Sequence, residues 1–216
     1  RDGWWSRGLG DVYKRQATSF AAGEDVNIPG TFKRPPNGTY SHAYVKFDNV
    51  IGITAAMKFD TSINGGGSGT GVFCRTVVSS GTHQSGSSHD ESVCATTETT
   101  PGKLTETLKQ FGTADGTYRA CVKDGTVASA SSGSCGTLGS INGFLVDTNL
   151  KLATASSGVD DFHGILAFGS PQKVTPNTSS FVVRFDVTNG AVTAKTGGGT
   201  SAYIGLGPFD MSIAIQ

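Results

Sequence analysis

Charge is scarce in this chain of 216 residues: only 16% are Asp, Glu, Lys or Arg, and the two signs cancel at seventeen each. A chain with no net field gathers neither nucleic acid nor an anionic bilayer from a distance, so neither is expected as a partner. Tryptophan is absent after residue 5, which weakens sugar recognition by aromatic stacking, although Tyr40, Tyr44, Tyr118 and Tyr203 remain. No apolar run reaches eighteen residues, so no helical membrane span is expected. No C-x-x-C pair occurs and no His stands at a zinc-finger spacing from a Cys, which excludes the common structural zinc sites. G-x-S-x-G, H-E-x-x-H, G-x-x-x-x-G-K-[ST] and a G-x-G-x-x-G opening a helix are all missing. No cofactor is expected. A Ser-His-Asp triad is defined by geometry, so sequence alone leaves it open.

Gly, Ser and Thr together make up more than a third of the chain. Thr and Ser hydrate a sheet face without charge, and Gly supplies tight turns. That balance suits an extracellular β protein better than a cytosolic helical enzyme, and long apolar alternations argue against disorder. The four cysteines Cys74, Cys94, Cys121 and Cys135 sit in the middle third. An even number in such a chain favours two disulfides and an oxidising compartment, extracellular or at the cell surface. Of the three possible connectivities, Cys74–Cys94 with Cys121–Cys135 closes the short loops. Asn37-Gly38-Thr39 and Asn177-Thr178-Ser179 fit the N-glycosylation pattern at Asn37 and Asn177.

The first sixteen residues, RDGWWSRGLGDVYKRQ, hold both tryptophans, and their four basic residues outnumber two acidic ones. DVYKRQ and its flanks resemble the conceptual translation of sequencing-adaptor read-through. Residues 1–16 are therefore set apart from fold reasoning, as adaptor-derived or as a disordered tail, and 17–216 are read as one secreted domain.

The stretch SSFVVRFDVTNGAVTAK predicts a hairpin. Phe181, Val183, Phe185 and Val187 alternate with more polar neighbours, and Asn189-Gly190 suits a type I′ turn. The register sets Val187 opposite Val192 and Phe185 opposite Ala194, keeping apolar residues on one face. A second hairpin is expected in TYRACVKDGTVASA, turning at Asp124-Gly125. YSHAYVKFDNVIGITAAMKFD also alternates, and its Val45-Lys46-Phe47-Asp48 echoes Val183-Arg184-Phe185-Asp186. One helix is predicted over 101–111: Thr100 caps it, Pro101 suits its first turn, and Leu104, Leu108 and Phe111 fall on one stripe. The fold expected is all-β, a two-sheet antiparallel β-sandwich of jelly-roll or Ig-like type with that one short helix.

Phe-Asp occurs four times, ending at Asp48, Asp60, Asp186 and Asp210. If those strands are neighbours, each Phe enters the core and the carboxylates line one surface, as glycosidases require of an acid and a base; Asp48 and Asp186 are the candidates. The plainer alternative is that each Asp solvates an outer face and pairs with Lys46, Lys58 or Arg184 two residues earlier. The loop between Cys74 and Cys94 holds His83, His89, Asp90 and Glu91, the side chains that bind zinc or copper, but no rigid element fixes them. Asp160-Asp161 beside His163 could add a ligand or hold Ca²⁺. At the end of the chain Phe209, Met211, Ile213 and Ile215 alternate with Asp210, Ser212, Ala214 and Gln216. A strand with so apolar a face must pair with a sheet, its own or a neighbouring subunit's.

These features define two expectations. The first is a secreted structural or surface protein, a subunit of an extracellular filament, pilus or coat, whose partners are other copies of itself or another surface protein. The second is a carbohydrate-binding or carbohydrate-cleaving sandwich using outward aspartates, with a glycan as partner.

Overall fold

The computed structural model describes residues 21, 23, 24, 26, 34–83, 91–111, 118–123, 126–129, 141–186, 192–197, 201–206 and 210–216. The stretch 1–16 and the turns at Asp124-Gly125 and Asn189-Gly190 lie outside them. Among the described residues the strands are β1 Gly38–Asp48, β2 Val50–Ile53, β3 Ala56–Gly65, β4 Thr70–Thr76, β5 Ser79–His83, β6 Ser92–Ala95, β7 Leu104–Leu108 and β8 Arg119–Lys123. They continue as β9 Thr126–Ser129, β10 Ile141–Val146, β11 Asp161–Val174, β12 Phe181–Asp186, β13 Val192–Gly197, β14 Ser201–Leu206 and β15 Asp210–Ile215. The chain is therefore nearly all β, and a three-residue 3-10 turn at Ser156–Gly158 is the one helical piece among the described residues.

Hydrogen bonding groups these strands into four sheets, ordered β1-β11-β10-β8-β9, β2-β7-β5, β13-β14-β3-β4-β6 and β12-β15. Pairing is antiparallel except between β14 and β3 and between β5 and β7. Alternation explains the first sheet. Ala43, Val45 and Phe47 of β1 lie opposite Leu166, Gly164 and Phe162 of β11. That face packs on Val183, Phe185, Met211 and Ile213 of β12 and β15. The echo between Val45-Phe47 and Val183-Phe185 thus has a physical basis, because both segments face one shared core. The Phe47 and Phe185 rings meet at 5.8 Å. A second core gathers Leu108, Tyr118, Leu145, Val159 and Phe162. Each fully buried aliphatic side chain such as Leu145 contributes roughly 1.5–3 kcal/mol.

Two local expectations fail. The segment predicted as a helix over 101–111 contains strand β7, in which Leu104, Glu106 and Leu108 are buried while Thr105 and Thr107 are half-buried. The period is two, with β-branched threonines between, and β7 lies between β2 and β5, which supply the ladder bonds a helix would have made internally. The hairpin predicted at Asn189-Gly190 does not form its pairing. Phe185 lies opposite Met211 and Ala194 opposite Ile204, so β12 and β13 belong to different sheets. The hairpin across Asp124-Gly125 does form, with Lys123 opposite Thr126.

The third sheet explains the glycine run INGGGSGTG. Gly66 N–H donates to Ala202 O at 2.7 Å, Gly67 N–H to Ser92 O at 2.9 Å, and Cys94 N–H to Ser68 O at 3.1 Å. The Ser92 hydroxyl closes the knot by donating to Ala202 O at 2.5 Å. These glycines let β3, β4, β6 and β14 approach backbone to backbone. Directly beside them Cys74 and Cys94 are opposed in register and joined by a disulfide.

Candidate functional site

The opposite face of the first sheet carries polar groups. Direct opposition across four strands sets Lys46 of β1, His163 of β11, Phe144 of β10 and Arg119 of β8 in one row. The next row holds Asp48 and Asp161. Strand alternation alone produces this division, because each of these residues is flanked in sequence by one that enters a core. Lys46 Nζ lies 2.6 Å from Asp161 Oδ2, across the diagonal between the two rows. The Tyr44 hydroxyl is hydrogen-bonded to His163 Nδ1, and the two rings meet edge to face with centroids 5.3 Å apart. The Arg119 guanidinium lies 5.9 Å from the centre of the Phe144 ring.

Burial sets the protonation states here. His163 is only 5% exposed, and desolvation of its charged form lowers its pKa; Asp161 opposes that shift in part and Lys46 adds to it. The imidazole is therefore neutral at neutral pH. Tyr44 is pushed above the ordinary phenol value, first by burial and then by the Asp161 charge, and keeps its proton. In the tautomer with the ring proton on Nε2, the Tyr44 hydroxyl is the donor to Nδ1. Neither His163 Nε2 nor Arg119 Nε has a hydrogen-bond partner among the described residues, and both are buried. A neutral imidazole oriented by a phenol, beside a Lys–Asp pair, can exchange or donate a proton and can bind an acceptor.

The structure brings few of the sequence-derived candidates together. Asp48 accepts the backbone N–H of Val50 at 3.1 Å and lies opposite Asp161. Asp186 is on β12 opposite Asp210, in another sheet, and Phe47 and Phe185 meet between the two strands. Lys46 pairs with Asp161 and not with Asp48, while Lys58 lies over the Phe73 ring at 5.4 Å. His89, Asp90, Cys135 and Phe209 lie outside the described residues, and the side chains of His83 and Cys121 are outside them too. Among the described residues no three His, Cys, Asp or Glu side chains gather as metal ligands. Asn37 and Asn177 are exposed, and Asn37 accepts a hydrogen bond from Arg34. Met211 is buried and Ile213 and Ile215 are half-buried, since β15 pairs with β12 of its own chain.

Sequence reasoning singled out His163 and Tyr44 but not as partners, and missed Arg119 as a site residue. The signal was available in alternation: DFH and YVK each place a polar residue two positions from another, and only the register between strands 119 residues apart joins them. A groove elsewhere is lined by Met57, Lys58, Phe73, Cys74, Arg75 and Glu98. No helix among the described residues is long and apolar enough to cross a membrane. No family model, curated protein or solved structure matches this chain.

Proposed function

We propose that this is a secreted structural or surface protein, a subunit of an extracellular filament, pilus or coat that works through contacts with other copies of itself or another surface protein. The observation that carries this reading is the two-stranded sheet of β12 and β15. A two-stranded sheet is marginal alone and persists here because Val183, Phe185, Met211 and Ile213 pack on the first sheet. Its outer edges have no strand beside them among the described residues, and main-chain hydrogen bonding at such an edge is how a strand from another molecule would add to it. We take this pair and the first sheet as facing leaves of a jelly-roll or Ig-like sandwich spanning 17–216, with the apolar strand that contains Met211, Ile213 and Ile215 at the assembly edge. The Cys74–Cys94 disulfide supports an oxidising, extracellular setting.

Sedimentation velocity over a concentration series, with and without excess peptide of sequence 209–216, tests this. Self-association that the peptide suppresses is expected, because the free strand competes for the same edge. A protein that stays monomeric at every concentration would overturn the proposal.

A further inference from the structure

The polar row on the first sheet has a property that an assembly subunit does not require. Among the described residues, His163 Nε2 and Arg119 Nε are buried nitrogens without a hydrogen-bond partner, and they belong to residues standing directly on either side of Phe144. Buried donors in native proteins are almost always paired, so two orphans flanking one side chain call for a common acceptor. We propose that the row His163–Phe144–Arg119 binds a carboxylate, with Arg119 and His163 each donating to one of its oxygens.

Geometry supports this. Arg119 and His163 are two strands apart, roughly 9–10 Å between backbones at ordinary strand spacing. Their long side chains rise from the same face, and the Phe144 ring separates them. Phe144 is only half-buried, and the guanidinium rests over its ring at 5.9 Å. The proposal requires this ring to turn aside, and its face then gives the ligand an apolar wall. Tyr44 supplies the third requirement: it engages Nδ1 and leaves Nε2 as the ring nitrogen for a ligand, donating in the tautomer that carries its proton there.

Charge selects the ligand class. Lys46 at the other end of the row is already paired with Asp161 at 2.6 Å, which leaves Arg119, among the described residues of the row, as the charge that this site offers. Asp48 and Asp161 stand in the adjoining row. A monoanion balances Arg119, whereas a dianionic phosphate would bring a second charge toward those two carboxylates. Planar bidentate acceptance also favours a carboxylate. The group could be that of a small free acid or of a uronic acid in a polysaccharide.

The experiment follows the His163 ring signals by NMR during titration of the intact protein with acetate, galacturonate and, as a neutral control, galactose. Saturable shifts with both acids and none with galactose are expected, with Kd on the order of millimolar for one charge-assisted pair. Tighter binding of galacturonate than of acetate assigns the uronate source, and equal binding assigns the free carboxylate. Arg119→Gln should abolish the acid-induced shifts. Should that variant fail to fold by circular dichroism, Arg119→Lys keeps the charge without the guanidinium fork and should weaken binding about tenfold. No saturable shift with either acid, or shifts unchanged in the folded Arg119 variant, would overturn the proposal.

Discussion

Gly71→Ala should be the most damaging single methyl group that can be added to the third sheet. A Cβ at Gly71 would lie 1.9 Å from the Ala95 carbonyl oxygen, 2.0 Å from its carbon and 2.5 Å from Thr96 N. All three are backbone atoms, so no side chain can rotate away. Ordinary contact begins near 3.4 Å, and the deficit of 1.5 Å (3.4 less 1.9) must be met by moving β4 from β6. The disulfide opposes that movement, because Cys74 and Cys94 tie the same two strands three residues further on. Overpacking of this kind costs typically 1–3 kcal/mol, and with backbone on both sides we expect about 3. For a chain of this size that lowers Tm by roughly 6–12 °C. Gly158→Ala is the control: nothing lies within 4 Å of its added Cβ, and a Gly→Ala change at a compatible site stabilises by about 0.4–1 kcal/mol. Urea unfolding of both variants, comparing midpoints at constant m, measures the difference. A Gly71→Ala midpoint equal to that of Gly158→Ala would refute the close approach of these strands.

Three further outcomes follow from the same structure. Removing the Cys74–Cys94 bridge by double substitution to serine should cost about 3 kcal/mol, since the bridge closes a loop of about 20 residues; both cysteines are almost wholly buried, so dithiothreitol should reduce the native protein slowly, and rapid thiol release without unfolding would contradict that burial. Leu150 holds φ at 61° and is exposed, so Leu150→Asn should raise stability by about 0.5–1 kcal/mol by removing left-handed strain, and a lower Tm would count against it. His163 has a folded pKa below the unfolded value of about 6.5. Between those values the unfolded chain binds more protons, so this contribution is complete above about pH 6.5 and is lost as pH falls toward the folded value. The stability difference between wild type and His163→Gln should shrink over that interval, and a difference independent of pH from 7 to 5 would refute it.

Much of the first sheet was legible because β1 declares its faces: Val45 and Phe47 against Tyr44 and Lys46 need only the period of a strand. The helix misreading at 101–111 has a specific source. Leu104, Leu108 and Phe111 satisfy a helical stripe, while the residues that reveal the period of two, Glu106 and Gln110, are polar yet buried. Polar burial depends on tertiary neighbours and leaves no local trace. The Asn189-Gly190 hairpin failed for a related reason. Its turn chemistry was sound, but Phe185 finds Met211 and Ala194 finds Ile204, pairings that local pattern ranks no higher than the hairpin. The polar row was invisible as a unit, since Lys46, Arg119, Phe144 and His163 meet only through the register of four strands.

The assembly role is tested most directly by negative-stain electron microscopy of the native, oxidised protein across the concentrations used for sedimentation. Filaments or ordered sheets with a repeat of one subunit, which disperse when the 209–216 peptide is in excess, are the expected result. Isolated particles of 22.2 kDa at every concentration, with or without the peptide, would contradict it.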